Sequence, residues 1–268
     1  MKFYKQYIII LLQVINLHFT VAAFQLRHPE KRIVGGENSN IFREPYQLAM
    51  KLSGTLICGA AIINRYWAIT AAHCIDTMKG FQLSDVSLYA GSTYYVINGT
   101  NHTPLLTVKH PEYNASTNDN DIALIKVSPP FYDYPSVKVN SIKLPKPYSI
   151  VPDGELCTVS GWGSEAPTSA DIPIKLRSVE VPIVSQKVCR DEYKELGVTV
   201  TDNMICAGYL NGGKDSCEGD SGGPLNCHET LCGIVSWGSN TCAAKYKAGV
   251  YTRVSNYVYW ILKTMYTL

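Results

Sequence analysis

Three short segments carry residue types that together could break an acyl bond. Thr70-Ala71-Ala72-His73-Cys74 sets an imidazole among small residues, and Asn120-Asp121-Ile122-Ala123-Leu124 sets a carboxylate ahead of an apolar run. Gly219-Asp220-Ser221-Gly222-Gly223-Pro224 sets a hydroxyl in a glycine-rich loop. A serine hydroxyl is a weak nucleophile at neutral pH and needs a neighbouring base to take its proton during attack. Singly, each segment has a plainer reading: a core histidine, an aspartate at a turn, a glycine-rich turn. The chemistry exists only if a fold brings all three together.

The elements available for that task are mostly strands. From Ile33 onward, short alternating or β-branched runs are punctuated by Gly, Pro, Asn and Ser, as in Ala60–Ile63, Val86–Tyr89, Asp121–Val127, Cys157–Ser160, Val179–Ile183 and Gly233–Trp237. This pattern predicts an all-β barrel or sandwich architecture. Helical spacing is convincing only near the C-terminus, where Tyr257, Trp260, Ile261 and Met265 recur after Ser255, a candidate cap. The Pro-rich stretch Ser128–Pro152 reads as a link between two β domains.

Bulk properties narrow the setting. The chain has 268 residues, a formal net charge of +2 and no Lys/Arg-rich run, which gives no reason to expect nucleic acid or a membrane surface as partner. Residues 1–23 have the layout of a secretory signal peptide: Lys2 and Lys5, an apolar run over Tyr7–Leu17, then Val21-Ala22-Ala23. Nine cysteines without C-x-x-C spacing suit disulfides in an oxidising compartment better than a zinc site, and the odd count leaves one over. Asn98, Asn101 and Asn114 head glycosylation sequons. Together these features predict a secreted, extracellular protein.

In order and wording, the three chemical segments resemble those of the chymotrypsin/trypsin family of serine proteases, and the resemblance covers Ile33–Leu268. It implies an all-β fold of two six-stranded antiparallel barrels with a C-terminal α-helix, the first barrel over 33–140 and the second, with the helix, over 141–268. Ser221 would be the nucleophile, His73 the base and Asp121 the group that orients it, with the Gly219 and Ser221 N–H groups facing the oxyanion. Arg32-Ile33-Val34-Gly35-Gly36 is similar to a zymogen activation junction, making 24–32 a propeptide. Cleavage would free the Ile33 amine to pair with Asp220. Asp215 matches the acid of a pocket for Arg or Lys, Gly238 and Gly249 match its walls, and Ser236, Trp237 and Gly238 resemble the strand that pairs with substrate. Arg32-Ile33 would then be a substrate of the mature enzyme, so autoactivation is expected.

The resemblance further implies the disulfides Cys58–Cys74, Cys157–Cys227, Cys189–Cys206 and Cys217–Cys242. Cys232 is left over, able to pair with Cys227 or to compete for Cys157. Departures from familiar trypsins stand at Asn118, Glu218, Thr241 and Ala248, and the segment Tyr89–Leu105 lacks the acids of the family's calcium loop. No metal and no cofactor are expected. The expected partners are protein or peptide substrates and proteinaceous protease inhibitors, acting on a monomer. A non-catalytic homologue serving as a binding protein is the alternative.

Overall fold

The computed structural model describes residues 35–132, 137–164, 173–215, 219–239 and 242–268. The expected signal peptide, propeptide and activation junction (Arg32, Ile33), as well as Cys217, Glu218 and Thr241, lie outside the described residues.

The first seven strands are β1 (Glu37–Asn38), β2 (Gln47–Leu52), β3 (Thr55–Ile62), β4 (Trp67–Thr70), β5 (Val86–Ala90), β6 (Thr100–Lys109) and β7 (Ala123–Ser128). β8 (Leu156–Gly161), β9 (Arg177–Val184), β10 (Met204–Ala207), β11 (Pro224–Cys227), β12 (Thr230–Trp237) and β13 (Gly249–Arg253) follow. Three α-helices are described: α1 (Ala72–Asp76), α2 (Gln186–Lys194) and α3 (Val258–Thr267). None of the described helices is long and apolar enough to cross a membrane.

Strands β2, β3, β4, β7, β6 and β5 close one six-stranded antiparallel barrel. The other runs β9–β10–β13–β12–β11–β8 and closes where β8 pairs with β9, while β1 adds to the free side of β9. The fold is therefore two six-stranded antiparallel barrels with a C-terminal helix. Among the described strands, closure leaves no long unpaired edge exposed to other chains.

Leu48, Met50, Ile62, Leu88 and Leu124 fill the first barrel, and Val159, Val181, Ile205, Leu225 and Tyr251 fill the second. Burying each such aliphatic side chain contributes roughly 1.5–3 kcal/mol before chain entropy is counted. After β13 the chain returns to the first barrel, so that Val254, Tyr257 and Ile261 join its core with Trp260 and Met265 alongside. The helical spacing read from the sequence is this packing face. Ser255 does not cap the helix: it lies in a 3-10 turn over Val254–Asn256, and α3 begins only at Val258.

Helix α2 was not anticipated. Its local signals are Ser185, whose Oγ accepts from Val188 N at 3.2 Å, and the buried pair Cys189 and Tyr193 at i, i+4 spacing. Disulfides join Cys58 to Cys74, Cys157 to Cys227 and Cys189 to Cys206. Cys242 is also disulfide-bonded, whereas Cys232 is a buried free thiol in the same apolar cluster as Cys157 and Cys227.

Candidate active site

His73 sits in the first turn of α1, just after β4 ends at Thr70, and its neighbours Ala71 and Ala72 are fully buried. Small residues let this turn press onto the barrel, and the Cys58–Cys74 bridge ties it to β3. Asp121 lies just before β7 and is 0% exposed. Its Oδ2 is 2.7 Å from His73 Nδ1, and its Oδ1 accepts from the His73 N–H at 2.9 Å. Two donors come from the second barrel: Ser236 Oγ reaches Oδ2 at 2.5 Å, and Thr252 Oγ1 reaches the Asp121 carbonyl at 2.6 Å. A buried carboxylate needs this many donors, because an uncompensated one would cost several kcal/mol. Burial first, then the negative charges of Asp121 and Asp76, pushes the Tyr113 phenol up to about 12.

The loop carrying Ser221 comes from the second barrel and leans on the first. Gly59 N donates to Ser221 O at 2.8 Å, while Gly222 N and Gly223 N donate to Val235 O and Asp220 O, each at 2.8 Å. Gly222 has φ +80, and a Cβ there would stand 2.1 Å from Thr70 Oγ1 and 2.6 Å from Gly59 O, so only glycine fits. Cys74 Sγ lies 3.6 Å from His73 Nε2 and 3.5 Å from Ser221 O, which puts the imidazole beside the Ser221 main chain. Among the described residues, no hydrogen bond joins the Ser221 hydroxyl to the His73 ring, a separation common before substrate binds. Among the described residues, neither Gly219 N nor Ser221 N donates to an acceptor.

Asp220, also 0% exposed, accepts from Gly163 N at 2.8 Å. A Cβ on Gly161 would stand 2.1 Å from its Oδ1, and one on Gly163 would stand 2.5 Å from its Cγ. The Cys58, His73 and Cys74 ligand atoms lie within 4.8 Å of one another. Both sulfurs are spent in the disulfide, so no thiolate is offered and the cluster is not a metal site.

Asp215 is 7% exposed, and its Oδ2 accepts from Ala243 N at 3.1 Å. A Cβ on Gly249 would stand 2.8 Å from Asp215 Oδ1, so the missing side chain keeps the approach to this carboxylate clear. Gly238 is exposed, and a Cβ there would meet nothing within 4 Å. Trp237 ends β12 and packs edge-on against Tyr193 at 4.8 Å, and the Tyr193 phenol donates to Ala248 O at 2.7 Å. Sequence reading noted Ala248 only as a departure. Its N–H donates to Glu192 Oε2 at 3.3 Å, a bond that proline could not make.

The sequon residues Asn98, Asn101 and Asn114 are all exposed. The 89–105 segment is closed by neutral groups: the Tyr89 phenol accepts from Gly99 N at 2.8 Å, and Ser92 Oγ donates to Ile97 O at 2.6 Å. Asn118 adopts φ +52 in the loop ahead of Asp121.

The amino-acid sequence is matched by known proteins. The trypsin family profile covers residues 33–261. Trypsin of Sus scrofa is 39% identical over 238 residues, spanning 88% of this chain and 96% of that protein. Serine protease 1 of Homo sapiens is 39% identical over 238 residues, 88% of this chain and 90% of its own. Trypsin I-P1 of Gallus gallus is 40% identical over 240 residues, again 88% and 90%. The chain belongs to the trypsin family of serine proteases.

Proposed function

We propose that this protein is a secreted endopeptidase that cleaves after Arg or Lys and is made as a precursor activated at Arg32-Ile33. The observation that carries the reading is the buried Asp121 carboxylate, 2.7 Å from His73 Nδ1, with the imidazole beside the Ser221 loop.

With Asp121 on Nδ1, the Nε2 lone pair of His73 is free to take the Ser221 Oγ proton. Oγ then bonds to the substrate carbonyl carbon, and the carbonyl oxygen gains negative charge opposite the Gly219 and Ser221 N–H groups. The intermediate collapses by breaking the C–N bond, and the leaving amine takes the proton from His73 Nε2. Water repeats the cycle: His73 takes its proton, its oxygen bonds to the acyl carbon, and Ser221 leaves reprotonated. The Asp121 carboxylate stabilises the transient imidazolium.

Asp215 supplies the preference. An enclosed carboxylate left facing a neutral side chain is poorly compensated, whereas Arg or Lys pairs with it. The segment Ser236-Trp237-Gly238 would bond the substrate backbone as an added strand. In the precursor the Ile33 amine is locked in a peptide bond; once released, it would pair with Asp220 and order the Gly219 turn.

The test uses the precursor nicked specifically between Arg32 and Ile33, assayed on matched peptide amides ending in Arg, Lys, Phe or Ala. Fast turnover of the Arg and Lys amides, abolished by Ser221→Ala, is the expected result. Preference for Phe or Ala would overturn the role given to Asp215. No turnover from folded, correctly nicked protein would make it a non-catalytic binding homologue.

A further inference from the structure

Behind the His73–Asp121 pair lies a polar seam that the mechanism above does not use. Asn120 holds a left-handed backbone at φ +55, a conformation asparagine tolerates better than most residues. Its carbonyl accepts from Ile122 N at 2.8 Å, so the chain turns tightly about Asp121. β7 begins only at Ala123, and no regular ladder fixes that turn.

Side chains fix it instead. Asn120 Nδ2 donates to Glu112 O at 3.0 Å. Asn120 Oδ1 accepts from the Tyr257 phenol at 3.0 Å and from Asn203 Nδ2 at 3.3 Å. Asn203 also donates to Asp119 Oδ1 at 3.3 Å and accepts from Asn256 Nδ2 at 3.1 Å. Tyr257 is 4% exposed, and its ring meets His110 edge-on at 5.1 Å, which in turn meets Trp260 at 5.0 Å. Burial holds the Tyr257 phenol far above its ordinary pKa, so it stays a donor.

Both His73 contacts end on the Asp121 carboxylate, and the backbone pivot of that carboxylate is residue 120. We infer that Asn120, Tyr257 and Asn203 are positioning residues for Asp121, so that the base of the C-terminal helix sets the aim of the His73–Asp121 pair. The inference rests on the catalytic roles given to that pair under the proposed function. Reacting groups tolerate little displacement, since a shift of about 1 Å can lower a rate on the order of a hundredfold.

The test compares Tyr257→Phe with Tyr46→Phe, which also removes a buried phenol from a side-chain bond, here one to Asn226 Nδ2 at 2.9 Å. One readout needs no activity: the ¹H NMR resonance of the His73 Nδ1 proton in the Ser221→Ala protein. The other is the split between kcat and KM in the nicked enzyme. Tyr257→Phe is expected to move and broaden the resonance and to lower kcat on the order of tenfold, with KM held within about twofold. Asn203→Ala, a milder change, is expected to act in the same direction, while Tyr46→Phe leaves both readouts as in the parent. An unchanged resonance in Tyr257→Phe and Asn203→Ala, or an equal change in Tyr46→Phe, overturns the inference. If the nicked parent has no peptidase activity, the proposed reaction fails, and the resonance still decides whether the seam positions Asp121.

Discussion

Asp121 and Asp220 are both fully buried acids, one beside the His73 ring and one next to Ser221 in the chain, yet the molecule accommodates them in different ways. Asp121 is surrounded by donors: an imidazole and a main-chain N–H from α1, and a hydroxyl from β12. Asp220 accepts from the Gly163 N–H and also depends on missing side chains, because Gly161 and Gly163 leave the volume its carboxylate occupies. The first acid is gripped by side-chain donors, and the second depends on space that glycines keep clear. Changes near the first should therefore disturb proton transfer, and changes near the second should disturb the Gly219–Ser221 turn.

The largest expected effect is at the first acid. Asp121→Asn keeps the shape but presents an amide to His73 Nδ1, favouring the wrong tautomer, and turnover of the nicked enzyme should fall by about 10⁴. A loss below tenfold would mean that donors around Asp121 serve the fold alone. Next is Gly161→Ala, a single methyl placed 2.1 Å from Asp220 Oδ1. It should lower kcat by about 10²–10³, the scale of losing one oxyanion donor, while the His73 Nδ1 resonance stays in place. If that resonance moves as well, the two acids are not independent and the contrast breaks down. The smallest effect should come from Ser236→Ala, which removes one donor among several; a loss of about tenfold or less in kcat is expected. A loss approaching that of Asp121→Asn would make Ser236 the dominant partner of the carboxylate.

Much of the fold was legible because strands and terminal helix announce themselves locally. The runs at Val86–Tyr89 and Val179–Ile183 fall inside β5 and β9, and Ile261 and Met265, with Tyr257 just ahead, mark one face of α3. Helix α2 escaped because Val188 is exposed and its buried face is only Cys189 and Tyr193, too narrow for a periodic signal. Ser255 looked like a cap because a hydroxyl before an apolar run is the usual cue, but a 3-10 turn separates it from the helix. At the candidate site, His73, Asp121 and Ser221 could be picked out by residue type and resemblance. The seam of Asn120, Asn203 and Tyr257 could not, since its members lie up to 137 positions apart and carry no motif. The role of the Ala248 N–H was equally silent, for it matters only beside Glu192.

Cys232 has a consequence for the protein's biogenesis. Burial raises its thiol to about 11, so at neutral pH it holds almost no thiolate. Once folded, it is an apolar filler beside the Cys157–Cys227 bridge, closed to alkylating reagents. While the disulfides are forming it is a competitor, because an open chain presents nine thiols of comparable reactivity and this one lies five residues from Cys227. Closing the β11–β12 hairpin over Cys232 takes this thiol out of the competition and leaves Cys227 to Cys157.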